Sequence, residues 1–351
     1  VTGTSPDTPY FPGAEWETRP ARDFGFDDRK LEAARTRLTD AVGPDGTYRV
    51  CVIRGGRIVA EWNAGLSSRD QTGIASAQKS LYSSLLGIAI AEGKLPSADA
   101  RVADYYPEML DVPEGAGPKP GRAAKPEDAH ITFRHLITNT SGYLKPDERP
   151  GQYFHYQTWG MNILMHALGK IYGVYDPSDP EGSVGPGDLI RRKIRDRIGG
   201  VWTWRWGNFD LPPQARAGIF GYHTSLFMTA RDACRVGWLW RSAGNWAGHR
   251  VVPTQWLREA TVSAAAIRGN SPASDLDGVG CYGHGFWAND HGKLWPNLPR
   301  DSFAAAGAGS QLIWVCPSLD LVIVESPGLP TQHVHLDPRL LDWILDALEP
   351  R

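Results

Sequence analysis

The chain has 351 residues, 41% of them apolar and 22% charged, with a formal net charge of −2. That length supplies the core of one large domain or of two closely packed lobes, and the near-neutral balance gives no long-range attraction for nucleic acid or an anionic membrane surface. The longest apolar run, Leu85 to Ala91, is far short of the roughly 20 residues of a membrane span, so a soluble protein with small, uncharged or mildly polar partners is expected.

Four cysteines, Cys51, Cys234, Cys281 and Cys316, are scattered without C-x-x-C spacing, which argues against a zinc knuckle or a disulfide framework. Cys51 and Cys316 fall in predicted core strands, where a thiol acts as a small hydrophobe. The sequence opens at Val1 with no charged-then-apolar leader pattern. A periplasmic or secreted location after removal of a leader and a cytoplasmic one both stay open, as does the oligomeric state.

Residues 1–26 are rich in Pro, Gly, Thr and Asp and read as an extended surface arm. From Asp27, Leu31, Ala34, Leu38 and Val42 recur at helical spacing. RVCVIRGGRIVAEW follows, with Gly55-Gly56 between two β-rich runs, a two-residue hairpin signal. ASAQKSLYSSLLGIAIAEGKL, from Ala75 to Leu95, is an apolar helix with a polar start. ARVADYYPEML and ITFRHLITNTSGY read as helical and loop pieces, and the Pro/Gly-rich stretch between Asp111 and His130 as a surface excursion or lid. WGMNILMHALGKIYG, PGDLIRRKIRDRIG and TARDACRVGWLWRSAG read as helices and VWTWRWGNFD as a Trp-rich loop. Strand character returns at GHGFWAND and in SQLIWVCPSLDLVIVES, where Pro317-Ser318 breaks two β-rich runs. A last helix is predicted from Pro338 to Leu348, with Asp337 as its N-cap.

This order predicts an α/β fold of the α+β type: an antiparallel sheet built from both termini and flanked by helices, with a mostly helical insertion. The expected division is an arm at 1–26, an α/β lobe from 27–75 with 275–351, and a helical lobe at 76–274.

Ser76 and Lys79 stand three residues apart, a step that places two side chains on one helix face about 5–6 Å apart at Cβ. A hydroxyl is a poor nucleophile unless a base lies within hydrogen-bond reach, and an amine serves as that base when its surroundings lower its pKa. Leu81, Leu85, Leu86, Ile88 and Ile90 are expected to provide those surroundings. Three later stretches accompany the pair: HLITNTSGY at 135–143, PGQYFHYQTWGMNILMHAL around Tyr156, and FAAAGAGSQLIWVCPSLDLVIV around Gly307, with GYHTSLFMTARDACRVGWLW between the last two.

Together, from Leu31 to Leu348, they resemble the serine β-lactamase and penicillin-binding-protein superfamily, in its branch of class C β-lactamases, DD-peptidases and related esterases. The resemblance implies a β-lactamase/DD-peptidase-like fold with the active site between the lobes and no cofactor or metal. It implies Ser76 as nucleophile, Lys79 as the group that holds its proton or passes it on, and Tyr156 as general acid towards the leaving group. The backbone N–H groups of Ser76 and Ala308 would form the oxyanion hole.

Departures from the family pattern bear on substrate. Thr158 stands where the tyrosine motif often has asparagine, and Ala305-Ala306-Gly307 replaces a lysine or histidine and a hydroxyl residue in the third motif. Without that cation and hydroxyl the site lacks a charge-assisted anchor for the carboxylate of β-lactams and D-Ala-D-Ala peptides. A small-molecule ester or amide without the carboxylate is the expected substrate, as for the family's esterases and nylon-oligomer hydrolases. Tyr143, Thr158, Trp287, Ala306 and Gly307 are candidate substrate contacts. Of the 14 tryptophans, Trp159, Trp202, Trp204, Trp206, Trp287 and Trp295 are candidates for an aromatic cleft border.

Other readings remain: a β-lactamase or DD-peptidase, an acyltransferase of the same fold, and a non-catalytic binding member. His333-Val-His335-Leu-Asp337 resembles the start of a metallo-β-lactamase ligand set, but Pro338 stands where that pattern has another histidine. No serine lies in a Gly-x-Ser-x-Gly elbow.

Overall fold

The computed structural model describes residues 10–119, 121–208, 222–330 and 336–349. The first part of the expected N-terminal arm, the end of the Trp-rich stretch, and His333 and His335 of the alternative metal motif lie outside the described residues.

Helix α1 (Asp28–Val42) begins where the Asp27 carboxylate accepts the N–H groups of Arg29 (2.8 Å) and Lys30 (3.0 Å). It buries Leu31, Ala34 and Leu38 at the predicted spacing. Strands β1 (Tyr48–Arg54) and β2 (Arg57–Ala64) form the predicted hairpin. Its turn residues Gly55 and Gly56 have φ of +59° and +77°, left-handed values that glycine adopts without strain in a two-residue turn. After the short strand β3 (Thr72–Gly73), helix α2 (Gln78–Ala91) runs through the interior. It is followed by α3 (Phe133–Ile137), α4 (Trp159–Ile171), α5 (Pro186–Lys193), β4 (Thr203–Asn208), β5 (Tyr222–Met228) and α6 (Ala230–Arg241). A minor hairpin of β6 (Asn245–Trp246) and β7 (His249–Arg250) leads to α7 (Thr254–Ala260) and β8 (Trp287–Ala288). The chain closes with β9 (Phe303–Gly307), β10 (Gln311–Cys316), β11 (Leu321–Glu325) and α8 (Arg339–Asp346).

Strands from both ends make one antiparallel sheet, in the order β2-β1-β11-β10-β9-β8. Both faces are covered, so its strands read as continuous apolar runs and the two-residue period only sorts their side chains. Val50, Val52, Leu312, Trp314, Leu321 and Ile323 pack with the apolar stripes of α1 and α8. Cys51, Ile53, Ile313, Val315, Val322 and Val324 pack with α6 and α2 on the opposite face. Each fully buried aliphatic side chain contributes roughly 1.5–3 kcal/mol. Gly237 lets α6 lie close to the sheet, because a Cβ there would stand 2.5 Å from Val322 Cγ1.

Several expectations are corrected. The Trp-rich stretch is not all loop: residues 203–208 form β4, paired with β5 in a second sheet of order β3-β5-β4. Its alternation of tryptophan and polar residues is a strand period. GHGFWAND supplies only the two residues of β8. ARVADYYPEML, in keeping with the helical and loop pieces expected there, holds two short 3-10 helices. The last helix starts at Arg339 with Pro338 in the cap position, while Asp337, one residue earlier, accepts the N–H of Arg339 (2.9 Å). Within 76–274, β4 and β5 pair with each other and β5 pairs with β3 from before it, while α6 packs on the first sheet. All four cysteines are buried free thiols. Among the described residues no helix is long and apolar enough to cross a membrane.

Candidate active site

Helix α2 is buried on nearly every side, and its three internal serines make this possible by bonding inward. Ser80 Oγ donates to the Gly285 carbonyl (2.6 Å), while Ser83 and Ser84 accept the indole N–H groups of Trp256 (3.2 Å) and Trp240 (3.0 Å). This helix is a rigid base for what precedes it. A 3-10 turn, Ala75–Ala77, leads into it, and Ala75 is held at φ +47°, a left-handed conformation rare for a residue with a Cβ. The segment ahead of the turn is tied to the sheet by the buried Arg49, whose guanidinium donates to Ser326 O (2.6 Å), Thr72 Oγ1 (2.5 Å) and the Asp70 carbonyl.

Ser76 is half-buried and Lys79 is 3% exposed. Lys79 Nζ donates to Ser76 Oγ at 2.6 Å and to the Tyr156 hydroxyl at 3.2 Å, and it lies 4.4 Å from the centroid of the Tyr156 ring. Three side chains from two distant stretches therefore meet at one amine. The aliphatic residues expected around that amine play a different part: Leu81, Leu85, Leu86 and Ile88 belong to the core, Ile90 packs against it, and the Tyr156 ring packs on the amine. Tyr156 is held in turn by Trp287, stacked at 5.8 Å, and by Tyr282, edge-on at 6.0 Å.

Next to this triad lies a cavity of about 370 Å³. Ser76, Lys79, Thr158 and Ala308 line it, together with Gln78, Met161, Asn162, His223, Ser225 and Phe227. Residues 223, 225 and 227 alternate along β5 and are half-buried, whereas Thr224, Leu226 and Met228 point into the protein. That alternation, with a polar, polar, aromatic face, is legible in YHTSLFM. Gln78, at the start of α2, lines the same cavity. Its Oε1 accepts the Leu226 N–H (3.1 Å), which continues the pairing of β3 with β5 beyond the end of β3. Burial, and then the nearby Lys79 charge, lower the His223 pKa to about 4, which leaves a neutral ring in the cavity wall at neutral pH.

The remaining predicted contacts divide. Thr158 and Ala308 lie on the cavity wall. Gly307 packs against the backbone of residues 74–77, and Ala306 is 4% exposed in the sheet core. Trp287 is not among the described lining residues and stacks on Tyr156. Tyr143 is corrected: it is fully buried and its hydroxyl donates to the Met109 carbonyl (2.7 Å), so it is a core residue. Among the described lining residues there is no tryptophan. Trp202 and Trp295 are interior, and Trp204 and Trp206 pack edge-on against each other. No group of three or more His, Cys, Asp or Glu residues capable of holding a metal occurs among the described residues.

An antiparallel sheet with helices on both faces, and a serine at the start of a buried helix beside strand β9, matches the β-lactamase-like and penicillin-binding-protein-like structures it resembles. The β-lactamase family model matches residues 45–325. The chain is 24% identical to the 6-aminohexanoate-dimer hydrolase of Paenarthrobacter ureafaciens, over 87% of this chain and 80% of that one. Its fold is similar to that of a penicillin-binding protein homolog from Caulobacter crescentus, with a TM-score of 0.65 and 14% identity over 91% of this chain and 97% of that one. It is also similar to a family VIII carboxylesterase, with a TM-score of 0.60 and 16% identity over 92% and 98%. The chain belongs to the β-lactamase family and is a hydrolase of the β-lactamase fold.

Proposed function

We propose that this protein is a serine hydrolase that cleaves small, uncharged esters or amides through an acyl-enzyme on Ser76. The observation that carries this reading is the single amine shared by Ser76 Oγ and the Tyr156 hydroxyl, at 2.6 and 3.2 Å. In the first half-reaction Ser76 Oγ bonds to the substrate carbonyl carbon and its proton passes to Lys79, acting as the free amine, which returns a proton to Tyr156 as the phenol gives its own to the leaving group. The oxyanion rests on the N–H groups of Ser76 and Ala308, Tyr156 delivers the proton to the departing alcohol or amine, and water then releases the acid. Residues 27–75 with 275–351 act as one lobe and 76–274 as the other, with the site between them.

The cavity supports the substrate class. Among the described lining residues the polar groups are uncharged apart from Lys79, and Ala305 and Ala306 give no cation or hydroxyl from β9 for a carboxylate. Nothing in the charge balance favours nucleic acid. The relatives named as a dimer hydrolase and a carboxylesterase fit the same class. Intact-protein mass measurement after exposure to a panel of p-nitrophenyl esters, anilides and β-lactams tests the proposal. A transient acyl adduct on the native protein that is absent from Ser76→Ala is expected, and an adduct of equal yield on that variant would overturn it.

A further inference from the structure

Asn139 follows α3 and has φ +56°, the left-handed conformation common just past a helix C-terminus. Its N–H donates to Leu136 O (3.1 Å), the next N–H, of Thr140, donates to His135 O (2.9 Å), and Thr138 Oγ1 donates to Arg134 O (2.7 Å), so the helix end is closed without the Asn139 side chain. Glycine serves that position at least as well. The asparagine side chain is therefore not explained by the helix end, and it is 1% exposed, where each polar atom needs a partner.

Those partners surround Tyr156. The Asn139 carbonyl accepts the N–H of His155 (2.9 Å), and its Oδ1 accepts the N–H of Gln157 (3.1 Å). The two residues flanking Tyr156 are thus pinned by one residue. A backbone N–H can only donate, which fixes the amide orientation and turns Nδ2 towards the Tyr282 hydroxyl at 3.1 Å. Tyr282 is the ring set edge-on to Tyr156. One side chain thereby positions both the backbone that carries the phenol and a ring packed beside it.

We infer that Asn139 is a positioning residue for Tyr156, holding its hydroxyl within reach of Lys79 and of the leaving group. The inference rests on the serine-hydrolase reading above. Displacement of an acid–base group by about 1 Å can cost on the order of a hundredfold in rate, so an effect on turnover rather than on substrate binding follows.

The test is a double-mutant cycle on p-nitrophenyl acetate with Asn139→Gly, which keeps the left-handed backbone, and Tyr156→Phe. Asn139→Gly is expected to lower kcat at least tenfold with KM within threefold, and to lower it less than twofold further in the Tyr156→Phe background. Tyr282→Phe, which removes only the hydroxyl that accepts from Nδ2, is expected to give a smaller loss, also absent in that background, and serves if the glycine variant does not fold. Losses of equal size with and without the phenol would overturn the inference, since Asn139 would then act elsewhere. Absence of ester turnover in the native protein, or undiminished turnover in Tyr156→Phe, would instead sink the hydrolase reading and this inference with it.

Discussion

Gly307 on β9 lies so close to Ser76 that a Cβ at 307 would stand 2.8 Å from the Ser76 nitrogen and 2.4 Å from the Ile74 carbonyl oxygen. These neighbours are backbone and cannot swing aside. The glycine lets the end of β9, with Ala308 just after it, approach the turn carrying Ser76, which brings together the two N–H groups assigned to the oxyanion hole.

Gly307→Ala is therefore expected to lower kcat for a p-nitrophenyl ester by one to three orders of magnitude, roughly the range seen when an oxyanion donor is lost. A folded variant, checked by thermal melting, with native kcat would show that the close approach has no catalytic consequence.

Ser76→Ala and Lys79→Ala are each expected to abolish turnover of that ester, and Tyr156→Phe to lower it about a hundredfold or more. Steady-state rates decide this, and full activity in either alanine variant would refute the roles given to the triad.

Nitrocefin is expected to be a poor substrate beside short-chain esters, because buried methyl groups at Ala305 and Ala306 replace the third-motif cation and hydroxyl. Comparable kcat/KM for the two would remove the argument that a missing carboxylate anchor sets specificity.

Glu325, on β11, is buried, and that burial raises its carboxyl pKa to about 8 although Oε2 accepts the Leu329 N–H (3.0 Å). The native group holds its proton where the unfolded one has lost it. Its contribution is thus fully present below about pH 4.5, declines above that, and is lost as pH rises through 8, a span worth on the order of a few kcal/mol. Glu325→Gln, neutral throughout, is expected to flatten the fall in denaturation midpoint between pH 6 and 9, and an unchanged slope would show that the carboxyl is not the source.

His284 acts in the opposite direction. Burial, then the Arg134 charge, lower its pKa to about 4, and its Nε2 accepts from Arg134 Nη1 (3.2 Å). The unfolded ring takes up a proton near pH 6.5 and the native ring only near 4, so stability falls as pH falls between those values. His284→Gln, which keeps an acceptor for Arg134, is expected to move the acid-unfolding midpoint to lower pH; a midpoint that stays in place would count against the linkage.

The sequence by itself determined the elements whose signals are local. The Gly55-Gly56 hairpin, the stripe of Leu31, Ala34 and Leu38, and the Ser76–Lys79 step each depend on spacing within a few residues, and family resemblance added Tyr156 as their distant partner. Tertiary structure decided the rest, because those features depend on what residues far apart in the chain place opposite one another. Tyr143 became a core residue through a bond to Met109, the Trp204 and Trp206 stretch became a strand by pairing with β5, and Asn139 gained its place beside Tyr156 only when a helix end met a loop. A cavity wall is made of such encounters, so Gln78, His223 and Ser225 could be placed there only once β5 lay beside the start of α2.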